Sequence, residues 1–112
     1  MPDEKISFLP PNEIMAGTAL AKLGEANNLE IFETIQEVYP AVSFPTIFSA
    51  LSRMVFKGYI SVRTEERKPI RGGRARKYYK LTASGQEVLA ANREILVATV
   101  SMWDPATAPA RG

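Results

Sequence analysis

The sequence predicts a mainly α-helical chain with one small β-hairpin, an α+β protein, and three observations lead there. Three short apolar stretches repeat at helical intervals before Gly58, the repeat changes to alternation just after it, and a longer helical pattern resumes beyond Thr82. At 112 residues there is room for one modest hydrophobic core, so a single compact unit is expected. With 46% hydrophobic and 23% charged residues, the composition is that of an ordinary folded domain.

Each element follows from local chemistry. Pro10-Pro11 ends an irregular leader, and Asn12 is placed to cap a helix through Ile14, Met15, Leu20 and Leu23 that stops at Gly24. Asn27 and Glu30 stand at capping-box spacing, opening a second helix with Ile31, Ile35 and Val38 on one face until Tyr39-Pro40 breaks it. Ser43 offers a third cap, Pro45 sits in a first turn where its missing N–H costs nothing, and Ile47, Leu51, Met54 and Val55 mark the inward face. The second and third helices are separated by only Pro40 to Val42, which is helix-turn-helix spacing. Past Gly58, Ile60 and Val62 alternate with Tyr59, Ser61 and Arg63, and Lys77, Tyr79 and Leu81 alternate with Arg76, Tyr78 and Lys80. Two strands joined across Thr64 to Gly73 make a hairpin, and a hairpin directly after a helix-turn-helix is a wing. Tyr79 and Leu81 are expected to face inward, with Lys77 on the same side by parity.

Thr82 or Ser84 caps the last helix. Its apolar residues recur every seven positions, as Val88, Ile95 and Met102 in one row and Leu89, Leu96 and Trp103 in the next. Three helices and a hairpin already form a complete winged unit, so this helix has more apolar face than one small domain covers and is expected to dock on a second copy. The expected organisation is a winged helix-turn-helix over 1–82, a C-terminal dimerisation helix over 83–103 and a frayed tail over 104–112. The dimer face would comprise Val88, Leu89, Asn92, Ile95, Leu96, Thr99, Met102 and Trp103.

The net charge of +2 conceals a segregation: Arg53 to Lys80 carries ten basic and two acidic residues, or +8, against −6 for the rest. Such a stretch repels itself, and a polyanionic partner is the reason to tolerate it. Other function classes lose support. With neither cysteine nor histidine, the chain lacks disulfides, thiolate metal sites and the commonest general base near neutral pH. No phosphate-binding glycine loop, nucleophile motif or metal-ligand spacing appears, so an enzyme is not expected and no cofactor or metal is implied. The acidic opening Met1-Pro2-Asp3-Glu4-Lys5 is unlike a basic signal peptide, and no apolar run reaches the roughly 20 residues of a membrane span. A cytoplasmic protein without a membrane partner is expected.

Thr46-Ile47-Phe48 with Leu51, then Gly58-Tyr59-Ile60, then Gly73-Arg74-Ala75-Arg76-Lys77-Tyr78-Tyr79-Lys80-Leu81-Thr82 and Gly85 resemble the PadR-type winged-helix transcriptional regulators, in their short form with a single C-terminal helix. The likeness spans about forty residues, and its wing segment is the specific part. Pro45 and Phe48 stand where that family usually has glycine and tyrosine, so a tyrosine hydroxyl contact to phosphate does not carry over. Glu30-Ile31-Phe32 also replaces a glycine-tyrosine pair common in the second helix. The resemblance implies a DNA-binding regulator, and a ligand near the dimer interface that changes the spacing of the two recognition helices. In some short members a tryptophan on the last helix stacks on flat hydrophobic compounds, which points to Trp103 with Leu96 here.

A helix-turn-helix puts the N-terminal side chains of its second helix at base edges in the major groove, here Ser43, Thr46, Ser49 and Arg53. Wing cations follow phosphates or enter a narrow minor groove, which selects Lys68, Arg71, Arg74, Arg76 and Lys77. The expected function is a sequence-specific, double-stranded DNA-binding repressor acting as a homodimer and released by a small planar hydrophobic effector. The competing reading is a winged helix serving as a protein-interaction module, which has no need of the +8 segment. RNA is disfavoured because the wing lacks an array of exposed aromatic residues for stacking.

Overall fold

The computed structural model describes residues 7–65 and 76–107. Its elements run α1 (Pro11–Leu23), β1 (Glu25–Ala26), α2 (Asn28–Val38), α3 (Phe44–Phe56), β2 (Ile60–Glu65), β3 (Arg76–Leu81) and α4 (Ala83–Val100), followed by a 3-10 turn at Pro105–Thr107. This is the mainly helical architecture with a β-hairpin that the sequence predicts.

The caps explain most of the boundaries. Asn27 Oδ1 accepts from the Glu30 N–H at 2.8 Å while Glu30 Oε1 accepts from the Asn27 N–H at 2.9 Å, completing the capping box of α2. Ser43 caps α3 by accepting from the Thr46 N–H. Thr82, rather than Ser84, caps α4, accepting from the Gly85 N–H at 3.0 Å. The start of α1 differs from expectation. Pro10 is its N-cap without any side-chain bond, and Pro11 begins the helix one residue before Asn12, because a proline in the first turn forfeits only an N–H that has no helical partner.

The sheet is three-stranded and antiparallel in the order β1-β3-β2. β1 escaped the sequence reading because two residues carry no period. It is a strand by pairing alone, Glu25 opposite Lys80 and Ala26 opposite Tyr79. Leu20, Ile31, Ile47, Leu51 and Met54 are fully buried at the helical centre, and Ile60, Tyr79 and Leu81 close it from the sheet, as alternation implied for Tyr79 and Leu81.

Two glycines root the hairpin on the helices. Gly58 turns the chain out of α3 at φ +85°, a left-handed conformation that side chains with a Cβ adopt at a cost. Gly85 lets α4 approach the Tyr59 carbonyl so closely that a Cβ would collide with that backbone oxygen. Across this junction the Thr82 N–H donates to Tyr59 O at 3.0 Å and the Thr82 hydroxyl donates to Gly58 O at 2.8 Å. The wing base, the end of α3 and the start of α4 are therefore tied together at one joint.

α4 departs from expectation at both ends of its apolar rows. Val88 and Leu89 are half-buried against the chain's own core. Asn92, expected on the dimer face, is buried inside the protomer: its Oδ1 accepts from the Leu9 N–H at 2.9 Å and its Nδ2 donates to Ser7 O at 2.9 Å and to Val88 O at 2.8 Å. A heptad position reports a face of the helix, and here that face is claimed by the N-terminal segment. The helix also stops at Val100, so Trp103 lies past it. Ser101 is the C-cap, Pro105 disfavours helix at the residue before it, and Asp104 Oδ1 accepts from the Ala106 N–H at 3.0 Å to start the 3-10 turn. That turn lies within the segment expected to be a frayed tail. No described helix is long and apolar enough to cross a membrane.

Candidate nucleic-acid interface

α3 buries Ile47, Ala50, Leu51 and Met54, which at 100° per residue leaves Pro45, Ser49, Ser52 and Phe56 along the middle of its outward face. Phe48 flanks that strip on one side and Arg53 on the other. Ser49 is exposed, as a base-contacting role requires. Ser43 and Thr46 are engaged at the helix start: their hydroxyl oxygens lie 2.7 Å apart, and Ser43 also serves the cap. Ser52, which sequence reasoning passed over, joins Ser49 on the outward strip one turn further on.

The wing base meets this helix. A cleft of about 450 Å³ is lined by Asn27, Asn28 and Leu29 at the start of α2, Phe48 of α3, and Arg76, Lys77 and Tyr79 of β3. Lys77 has the inward parity expected of it, yet it is exposed, because the core ends at Tyr79 and Lys77 projects into the mouth of this cleft. Arg76 is exposed beside it. Among the described residues neither makes an ion pair. The N–H groups of the first turn of α2 add positive potential to the same cleft. Lys68, Arg71 and Arg74 lie outside the described residues.

Among the described residues, three of the cations between Arg53 and Lys80 are held by carboxylates from outside that segment. Glu13 of α1, with no exposed side-chain surface, accepts from Arg53 Nε at 3.0 Å and from Lys57 Nζ at 2.8 Å. Arg53, expected at a base edge or phosphate, is instead half-exposed with its Nε turned to α1. Arg63 of β2 reaches across β3, passing 4.7 Å from the centre of the Tyr78 ring, and binds Glu25 of β1 in bidentate fashion at 2.8 and 3.0 Å. The Arg63 hydrogen bond holds the Glu25 carboxyl below its ordinary pKa, and Glu25 reciprocally raises that of Arg63. Burial pushes the Tyr79 phenol up. These partners are 38 to 44 residues apart in sequence, a distance at which no local pattern gives warning.

The Transcriptional regulator PadR-like family matches residues 19–91, which covers α2, α3, the hairpin and the first half of α4. The chain belongs to that family. Its members regulate transcription and are not enzymes, and the chain is a DNA-binding regulator of this kind. Among solved structures, a PadR family transcription regulator from hypervirulent Clostridium difficile R20291 is 25% identical, with a TM-score of 0.71 over 83% of this chain and 94% of that one. A PadR-like transcription factor from Bacteroides fragilis is 28% identical, with a TM-score of 0.65 over 80% and 86%. BpsR of Bordetella bronchiseptica, whose DNA binding is regulated by 6-hydroxynicotinic acid, shares the fold at 17% identity and a TM-score of 0.62, over 95% of this chain and 74% of that one. No curated protein matches the sequence.

Within this PadR-like chain another exposed apolar surface is the far half of α4 with the residues just beyond it. Leu96, Val97 and Val100 are exposed there, Met102 is 81% exposed and Trp103 62%. An apolar groove of about 580 Å³ between α1 and α4 runs alongside, lined in part by Ile14, Thr18, Leu89, Leu96 and Val97. Thr99 shares this exposed half, and Ile95 is partly covered.

Proposed function

We propose that this chain is a homodimeric repressor that grips duplex DNA with α3 in the major groove and the hairpin over the adjacent backbone. The observation that carries the reading is the cleft in which Phe48 of α3, the start of α2, Arg76 and Lys77 open onto one side. A phosphate there is attracted by two cations and by helical N–H groups together. Ser49 and Thr46 approach base edges, Ser43 sets the first turn of the helix, and Lys68, Arg71 and Arg74 add further phosphate contacts. Arg53 serves chiefly to hold α3 against α1.

The dimer uses the far half of α4 and the residues just past it, where Ile95, Leu96, Thr99, Met102 and Trp103 face a second copy and the α1–α4 groove receives the partner's helix. Leaving these side chains in water is unfavourable by about 25 cal/mol per Å², so a second copy gains what the protomer cannot bury alone. Two such units set their recognition helices about 34 Å apart, one turn of DNA, on a pseudo-palindromic site. A small planar hydrophobic compound stacking on Trp103 beside Leu96 changes that spacing and releases the DNA in the cytoplasm. The regulation of BpsR by an aromatic acid is a precedent for such control in this fold.

Selection of bound duplexes from a random pool, followed by salt titration of the winner, tests the DNA reading. Saturable binding to one enriched, two-fold symmetric sequence supports it, and no enrichment contradicts it. Sedimentation of the chain carrying Leu96→Glu and Val100→Glu tests the dimer. The expected result is a folded monomer where the parent sediments as a dimer, and a parent that is itself monomeric at micromolar concentration contradicts the reading.

A further inference from the structure

The outward face of α3 offers unusual chemistry for a helix that enters a groove. Pro45, Phe48, Ser49, Ser52 and Phe56 include no arginine or lysine for guanine and no asparagine or glutamine for the paired bonds that read adenine, and Arg53 on the opposite flank has its Nε committed to Glu13. The first turns, which come nearest the bases, are instead apolar on one flank.

Phe48 is held there. The residue is 42% exposed and its ring stacks on Phe44, with centroids 6.2 Å apart and planes 15° from parallel. Phe44 in turn meets Phe32 of α2 edge-on at 5.4 Å, and Phe32 packs on the core. An aromatic ladder therefore fixes Phe48 while leaving part of its ring uncovered, at the mouth of a cleft whose other wall carries Arg76 and Lys77. Cations that draw in a phosphate backbone bring the neighbouring groove edge against an apolar surface. The apolar group displayed on a major-groove edge is the C5 methyl of thymine.

We propose that Phe48 is a specificity-determining residue that packs its exposed ring edge on a thymine methyl in each half-site. The inference rests on the DNA reading given above. Specificity then comes from methyl burial and the hydroxyls of Thr46, Ser49 and Ser52, so at least one thymine per half-site is preferred over cytosine and over uracil.

The test uses the full chain and the duplex it selects from a random pool, with each thymine replaced singly by deoxyuridine, which removes the methyl and keeps every hydrogen-bonding group. Removing a buried methyl-sized group weakens binding about fourfold. One symmetry-related thymine is expected to show this loss, and Phe48→Ala is expected to bind thymine and deoxyuridine duplexes equally. Phe48→Leu, which keeps an apolar side chain in the same packing, is expected to restore part of the preference and shows that the alanine variant fails for want of the contact rather than of folding. Equal binding of all deoxyuridine duplexes by the unmodified chain overturns the proposal while leaving the DNA reading intact, as does a deoxyuridine penalty unchanged in Phe48→Ala. Failure to bind any duplex overturns the DNA reading and this inference with it.

Discussion

The end of α3 and the base of the wing carry similar cations with opposite fates. Arg53 and Lys57 are turned inward onto the buried carboxylate of Glu13, so they brace α3 against α1. Arg76 and Lys77 stand exposed at the cleft and meet no carboxylate among the described residues. Charge counted along a sequence treats the two pairs alike. Only the first shares a carboxylate, one negative charge against two positive, so its field is partly offset within the protomer and the positive potential available to a polyanion is narrower than +8 suggests and is weighted toward the wing base.

The largest expected effect comes from breaking the inward pair. Glu13→Ala strands two cations and should destabilise the fold by about 2 kcal/mol in urea unfolding, below the roughly 3–5 kcal/mol of a fully buried pair because Arg53 and Lys57 retain contact with water. An effect under about 0.5 kcal/mol would make the clamp a surface ornament and erase the distinction. Arg76→Ala and Lys77→Ala should do the reverse, lowering affinity for every duplex while leaving stability within about 0.5 kcal/mol.

Smaller effects come from titration. The Tyr79 phenol has a raised pKa in the folded chain because it is buried, so the unfolded chain gives up that proton first. Its contribution is intact below about pH 10 and is lost as pH rises toward the folded value. Tyr79→Phe should remove that alkaline slope from a stability profile. Glu25 has the opposite sign. Its lowered pKa contributes stability above its ordinary value of 4.5, lost as pH falls through the folded value. Because the Glu25–Arg63 pair is exposed, Glu25→Gln should flatten the acid limb only slightly and should leave DNA binding unchanged.

Much of this architecture was legible because its signals are local. The Asn27–Glu30 capping box, the Ser43 cap with Pro45, and the alternation that buries Tyr79 and Leu81 each act within a few residues. What was not legible depends on distant partners. Glu13 gave no signal in the sequence, yet its buried carboxylate holds Arg53 and Lys57 at the end of α3. Asn92 looked like a tolerable polar position in a heptad, yet it ties the segment around Leu9 to α4. β1 exists only because β3 has an edge to pair with. For the site, sequence reasoning placed Arg76 and Lys77 together at the wing, passed over Ser52, and set Phe48 aside because it lacks the tyrosine hydroxyl. The placement of Phe48 rests on an aromatic ladder that depends on Phe32 from another helix, which no local pattern reveals.

The central claim is that the hairpin cations, and not those at the end of α3, meet the phosphates. The salt dependence of duplex binding measures this directly, since each phosphate contact contributes about −0.9 to the slope of log affinity against log salt. Arg76→Ala with Lys77→Ala should make the slope shallower by about 2, whereas the triple change Glu13→Gln, Arg53→Gln and Lys57→Gln, which removes the clamp without stranding a charge, should leave it as it was. A slope that flattens in the triple variant and persists in the wing variant would contradict the account.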